Sequence, residues 1–244
     1  MAKAAVMVSW QDVPHLSPED QASILASTPS WQRASRSKGI PDLGPGAIFQ
    51  VPEADIRVEP FEIPKYWPRA YGMDVGWNRT AVAWFAHDRE AQVWYQYAEY
   101  YRGQAEPSVH ALAIKAKGEW IPGVIDPAAR GRNQKDGTQL LTDYQEAGLD
   151  IEVANNALES GLGEVWEAYS FGRMKVFSSC RNTFSEYRVY RRDKHGKVVK
   201  KNDHLMSAIR YFWMSGRERA IVQPAETEGG LPWYHWVPPD VWSG

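Results

Sequence analysis

Three aspartates of this chain stand where a carboxylate needs a physical reason. Asp74 closes the apolar run Ala70-Tyr71-Gly72-Met73, and a carboxylate there is costly unless it is paired, hydrogen-bonded or metal-bound. Asp126 directly follows the apolar run 121–125, at the C-terminal end of what reads as the fourth strand, where open α/β sheets bind ligands. Asp203 opens the amphipathic stretch 202–215, a position that helix capping alone would also fill with Asp. Taken singly, each is explained as a cap or turn residue. Brought together, three carboxylates could not all stay ionised without compensation. Two Mg²⁺ or Mn²⁺ ions supply it, because hard cations take oxygen ligands. Such a site clamps the attacking and leaving oxygens of an in-line phosphoryl displacement. On this reading the central strand position of Asp74 makes it the bridging ligand, and Asp126 and Asp203 each hold one ion. His204 and Glu186 are auxiliaries: the first to contact a phosphate or orient Asp203, the second with solvated helix surface as its plainer alternative. Glu99 sits at a strand end, where exposure is the default.

Elements far apart in the chain have to deliver these side chains to one place. Residues 70–75, 80–86 and 92–100 read as three β-rich runs joined by turns at 76–78 and 87–90. Helical patterning follows at 107–117, 137–147, 159–172 and 183–191, with strands at 120–125, 150–154 and 175–177. The last helix is 202–215, with Asn202 or Asp203 as N-cap and Gly216 as terminator. Three antiparallel strands followed by alternating helices and strands give an α/β fold with a mixed sheet of five to six strands flanked by helices. In the order 3-2-1-4-5 the first and fourth strands are parallel neighbours. That sets Asp74 beside Asp126, and a helix crossing the sheet delivers Asp203.

Residues 1–68 read differently. Prolines recur from Pro14 to Pro68 and only residues 17–27 carry a helix pattern, with Ser17 as N-cap and Pro18 at the first helical position. The expected organisation is an extended arm or linker at 1–68, the domain at 69–216 and an aromatic, proline-rich tail at 217–244.

Composition narrows the partners. Net charge is −2, so any contact with nucleic acid needs local basic patches rather than a basic domain. Two patches flank the acids. Arg130, Arg132 and Lys135 follow Asp126, while Arg188, Arg191, Arg192, Lys194, Lys197, Lys200 and Lys201 precede Asp203 around a turn at Gly196. Such clusters hold phosphates without reading bases. A single cysteine, Cys180, excludes a disulfide framework and a multi-cysteine zinc site. No apolar run is long enough to span a bilayer, and the first residues lack the pattern of a secretory signal, so the cytoplasm is the expected compartment.

Three segments together carry a family resemblance: Tyr71-Gly72-Met73-Asp74-Val75-Gly76-Trp77, Val124-Ile125-Asp126-Pro127-Ala128, and Asn202-Asp203-His204-Leu205-Met206-Ser207-Ala208-Ile209-Arg210-Tyr211. They resemble the C-terminal nuclease domain of tailed-phage large terminase subunits, which has a ribonuclease H-like fold. The preceding Trp10-Gln11-Asp12-Val13-Pro14-His15-Leu16-Ser17 and Gly39-Ile40-Pro41 look like the connector from the terminase ATPase domain. The resemblance implies a metal-dependent endonuclease that cuts concatemeric viral DNA during genome packaging, in the cytoplasm of an infected bacterium. Asp74, Asp126 and Asp203 would be its ligands for two divalent cations. Implied partners are double-stranded viral DNA, the terminase small subunit, the portal protein and an ATPase domain. No G-x-x-x-x-G-K-[ST] loop occurs in the sequence, so the expectation is an isolated nuclease part: an engineered domain, a split gene product or a remnant. Alternatives are a junction resolvase or transposase-like nuclease, a sugar-kinase-like or actin-like ATPase using the Asp74-Val75-Gly76 hairpin, and a non-catalytic DNA- or portal-docking module.

Overall fold

The computed structural model describes residues 9–10, 15–27, 37, 46–131 and 139–225. Helix α1 (Pro18–Ser27) is capped as its sequence asks, the Asp20 amide donating to Ser17 Oγ at 3.1 Å. A short helix α2 (Glu53–Ile56) leads into β1 (Arg57–Val58). The meander β2 (Arg69–Asp74), β3 (Thr80–Asp88) and β4 (Val93–Arg102) is antiparallel throughout. Helix α3 (Pro107–Lys115) crosses to β5 (Gly123–Ile125), and α4 (Leu140–Glu146) leads to β6 (Ile151–Val153). Helix α5 (Leu158–Ser170) returns to β7 (Met174–Phe177), followed by α6 (Arg181–Tyr187) and α7 (His204–Tyr211).

The strands form one mixed sheet in the order β1-β7-β4-β3-β2-β5-β6. The expected central order is present, and β7 and β1 extend it beyond β4 to seven strands rather than five or six. The two-residue β1, paired in parallel with β7, is too short to leave a period-two signal.

Alternation along the strands builds a core on each face. Ala70, Ala81, Ala83 and Phe85 point to the side of α5, α6 and α7, whereas Tyr71, Met73, Val82 and Trp84 point to the side of α3 and α4. Residues read as arm contribute to the first core: Phe49, Val51 and Ile56 are buried there, and the Tyr187 hydroxyl donates to the Val51 carbonyl at 2.7 Å. The connector segments 11–14 and 39–41, and 226–244 of the expected tail, lie outside the described residues.

Two helices differ from their patterns. Helix α6 occupies 181–187 rather than 183–191, because Glu99 on β4 supplies acceptors for the Asn182 and Thr183 amides at its start. The expected helix 202–215 is α-helical only to Tyr211 and continues as a π-turn, Phe212–Gly216. There Phe212 stacks on Phe85 with centroids 3.8 Å apart.

Candidate active site

The register of the sheet decides where two of the acids lie. Met73 on β2 pairs with Ile125 on β5, and the Asp126 amide donates to the Met73 carbonyl at 3.0 Å. One residue further on, Asp74 and Asp126 therefore stand side by side at the ends of adjacent parallel strands, whose backbones run about 5 Å apart. Gly72 brings the third. A Cβ at Gly72 would lie 2.1 Å from the Ala208 carbonyl oxygen, so only glycine lets α7 rest directly on β2. That contact carries Asp203 and His204, at the start of α7, to the end of β2 where Asp74 sits.

Asp74 and Asp203 are buried, and Asp126 is half-buried. Burial first, and the charges of Asp126 and Asp203 in addition, push the Asp74 carboxyl up to about 6 against the opposing hydrogen bond from His204. His204 Nδ1 lies 2.9 Å from Asp74 Oδ2, and this hydrogen bond raises the imidazole above its ordinary value. Tyr211, hydrogen-bonded to Asp126, has its phenol raised by burial and then by the Asp126 and Asp74 charges. The acids thus sit within electrostatic reach of one another. Each also has a nearer partner: Asp126 Oδ1 accepts from the Ala128 amide at 3.0 Å, and Asp203 Oδ2 lies 3.8 Å from Lys200 Nζ. Among the described residues no three acidic, imidazole or thiol side chains stand close enough to cage an ion as they lie. The juxtaposition is one of strand ends and charge rather than a closed cage. In kind the donors suit a hard divalent cation: buried carboxylate oxygens whose mutual repulsion a cation relieves.

Helix capping does not explain Asp203. It occupies the N-cap position of α7, yet its side chain makes no capping hydrogen bond. Nor is Glu186 a solvated helix residue; it is buried and hydrogen-bonded through both oxygens. Glu99, expected to be exposed, is half-buried. It accepts from the Asn182 amide and side chain and from the Thr183 amide and hydroxyl, all between 2.8 and 2.9 Å. Sequence reasoning missed both sets of contacts because the donors lie more than eighty positions away for Glu99, and 85, 19 and 20 positions away for Glu186. Arg210, inside the last quoted segment, is buried beneath α5, its guanidinium 3.2 Å from Asn156 Oδ1 and 4.5 Å from the Tyr211 ring centre.

The basic patches divide. Arg188 is held by Glu53 through hydrogen bonds of 2.7 and 2.8 Å, and Arg192 by Glu159 through bonds of 3.0 and 2.6 Å. Arg130, Arg191, Lys194, Lys197, Lys200 and Lys201 are exposed. The turn they surround is closed by an Arg192–Val198 bridge, with Gly196 at a φ of +78°. Arg132 and Lys135 lie outside the described residues. Three residues past Asp74, in the turn between β2 and β3, Trp77 is 65% exposed.

Comparison with known proteins follows the same lines. A family model described as the terminase RNaseH-like domain matches residues 71–215. The large terminase subunit of Salmonella phage P22 is 34% identical over 246 residues, spanning 95% of this chain and 49% of the relative. The chain therefore covers about half the length of the curated relatives it matches. The solved nuclease domain of the P22 large terminase is 33% identical with a TM-score of 0.67, covering 74% of this chain and 97% of that one. The nuclease domain of the bacteriophage SPP1 large terminase, solved with bound Mn, has a TM-score of 0.51 at 19% identity over 69% of this chain and 99% of that one. The SPP1 likeness is one of fold.

Proposed function

The chain belongs to the terminase RNaseH-like domain family, and from that premise we propose that it is a metal-dependent endonuclease that cuts viral DNA during genome packaging. The observation that supports this reading is the Met73–Ile125 register with the Gly72–Ala208 contact, which sets the strand ends bearing Asp74 and Asp126 and the start of α7 bearing Asp203 at the same end of the sheet. We take Asp74, Asp126 and Asp203 as the ligands of two divalent cations, Mg²⁺ or Mn²⁺. When bound, such ions lower the pKa of a bound water and stabilise the departing 3′ oxygen of a phosphodiester.

The chain's own residues do the positioning. His204 holds the Asp74 carboxylate through Nδ1 and so fixes which of its oxygens face outward. Of the basic residues, Arg130, Arg191, Lys194, Lys197, Lys200 and Lys201 are exposed and suit contacts to phosphate. Arg188 and Arg192 serve the fold first through their ion pairs. With a net charge of −2, DNA binding by this chain alone is weak and steeply salt-dependent. The chemistry is assigned to residues 69–216, and segment 47–58 completes the sheet and core on which they depend. The terminase small subunit, the portal protein and an ATPase domain are the partners this family reading proposes.

Supercoiled plasmid tests the proposal. With manganese, the ion bound in the SPP1 relative, the chain is expected to produce relaxed and linear DNA, and with chelator none. Plasmid left supercoiled in manganese, at protein concentrations that retard it in a gel, would make the chain a docking module instead.

A further inference from the structure

Glu186, on α6, is 2% exposed and accepts hydrogen bonds through both oxygens. Its Oε1 accepts the Tyr101 hydroxyl at 2.6 Å, and its Oε2 accepts the amides of Leu205 at 2.6 Å and Met206 at 3.3 Å. Those amides belong to the first turn of α7, where no intrahelical acceptor exists. The residue placed to cap them is Asp203, one of the preferred N-cap types, and its side chain does not do so. The acceptor comes instead from α6, nearly twenty residues earlier in the chain.

The geometry points to Glu186 as a positioning residue of the site, capping α7 in place of Asp203 and so leaving the Asp203 carboxylate available to a metal ion. Tyr101 fixes Glu186 in this role. Its ring lies under the Arg79 guanidinium, 4.4 Å from the ring centre, and 6.4 Å from the His204 ring. Arg79 belongs to the segment between Asp74 and β3, so one chain of contacts, Arg79–Tyr101–Glu186, ties the loop after the first acid to the helix bearing the third. Without Glu186, the bare amides of Leu205 and Met206 would recruit the nearest carboxylate, that of Asp203, and withdraw it from ion binding. Both oxygens of Glu186 already accept hydrogen bonds within the chain, which assigns it to positioning rather than to binding an ion.

This inference rests on Asp203 being a metal ligand, and the experiment separates the two. Manganese binding by the full 244-residue chain is measured by calorimetry, with DNA nicking split into kcat and KM. Glu186→Ala is expected to weaken manganese binding and lower kcat by about 10–100-fold, the usual cost of losing a group that orients a ligand, with KM for DNA unchanged. Glu186→Gln keeps an oxygen to accept the Leu205 amide and is expected to recover most of that loss. Tyr101→Phe, which removes one of the three hydrogen bonds to Glu186, is expected to fall between wild type and Glu186→Ala. A folded Glu186→Ala protein that binds manganese within twofold of wild type overturns the inference. So does a Glu186→Gln protein as impaired as Glu186→Ala, which would make Glu186 a ligand. Should Glu186→Ala not fold, Tyr101→Phe decides, and wild-type affinity there overturns it. A wild-type chain that neither binds manganese nor cuts DNA would instead remove the nuclease reading on which the inference depends.

Discussion

Two groups of carboxylates flank α6 and α7, and they are treated in opposite ways. Glu99 and Glu186 are each held by several donors: the first takes four hydrogen bonds at the start of α6, the second two from the start of α7 and one from Tyr101 on β4. Asp74 and Asp203 have one near side-chain partner each, Asp126 has the Ala128 amide and the Tyr211 hydroxyl, and the Asp126 and Asp203 charges oppose ionisation of Asp74. A carboxylate used for structure discharges the cost of its burial on N–H and O–H groups of the same chain. One kept for chemistry leaves oxygens unspent and its cost unrelieved. The contrast teaches that the acids of this edge cannot be ranked by burial alone. Glu186 is more deeply buried than Asp74, and what separates them is what their oxygens already hold.

Breaking the second group is expected to produce the largest effect. Asp74→Asn, Asp126→Asn and Asp203→Asn should each lower manganese-dependent nicking by at least roughly 10³-fold, an effect of about 4 kcal/mol on the barrier. Their circular dichroism and melting should stay near wild type. Full activity in any one of them removes that residue from the site. Breaking the first group should do the reverse. Glu99→Ala strips the acceptors from the α6 amides and is expected to cost about 2 kcal/mol of stability, read as a lower denaturation midpoint. Its nicking activity, measured well below that midpoint, should remain within a few-fold of wild type. A stable Glu99→Ala protein that has lost activity would erase the distinction between the two groups.

The basic turn sharpens the comparison from the substrate side. Lys200 lies 3.8 Å from Asp203 and Lys201 is exposed beside it. Changing both to Ala is expected to weaken DNA binding about tenfold and to make the log–log salt slope shallower by up to about 2, close to one released counterion per lysine. An unchanged slope denies them a phosphate.

The smallest effect concerns two imidazoles that repeat the contrast. His204 is pushed up by Asp74, whereas His110, on the buried face of α3, is pushed down by burial. The Tyr100 hydroxyl lies 2.8 Å from His110 Nδ1 and can donate to it only while that nitrogen is unprotonated. The folded-state value of His110 lies below its unfolded value near 6.5, so its contribution is complete above that pH and is lost as pH falls through the depressed value. His110→Gln is therefore expected to flatten the loss of stability as pH falls below about 6.5. A steeper loss in the variant would contradict the assignment.

Much of this arrangement was legible in the residues. Apolar runs at β2, at β3 and before Asp126 marked three of the strands, and the expected order 3-2-1-4-5, which set the Asp74 and Asp126 strands side by side, is present in the sheet. Caps at Ser17 and Gly148 also followed from residue type, the latter at a φ of +86°. What was not legible depended on contacts remote in sequence. The roles of Glu99 and Glu186 are set by helix ends more than eighty and nearly twenty residues away. The need for Gly72 is set by the approach of Ala208. The π-turn at Phe212 accompanies its stacking on Phe85. Patterns within a window of a dozen residues carry none of these.

The central claim is that the three unsaturated acids share divalent ions, and a manganese-soaked crystal examined by anomalous scattering tests it most directly. The account expects manganese peaks about 2.1 Å from carboxylate oxygens of Asp74, Asp126 and Asp203, with Glu186 still bonded to the Leu205 and Met206 amides. Manganese bound elsewhere on the chain, or at this edge without Asp203, would contradict it.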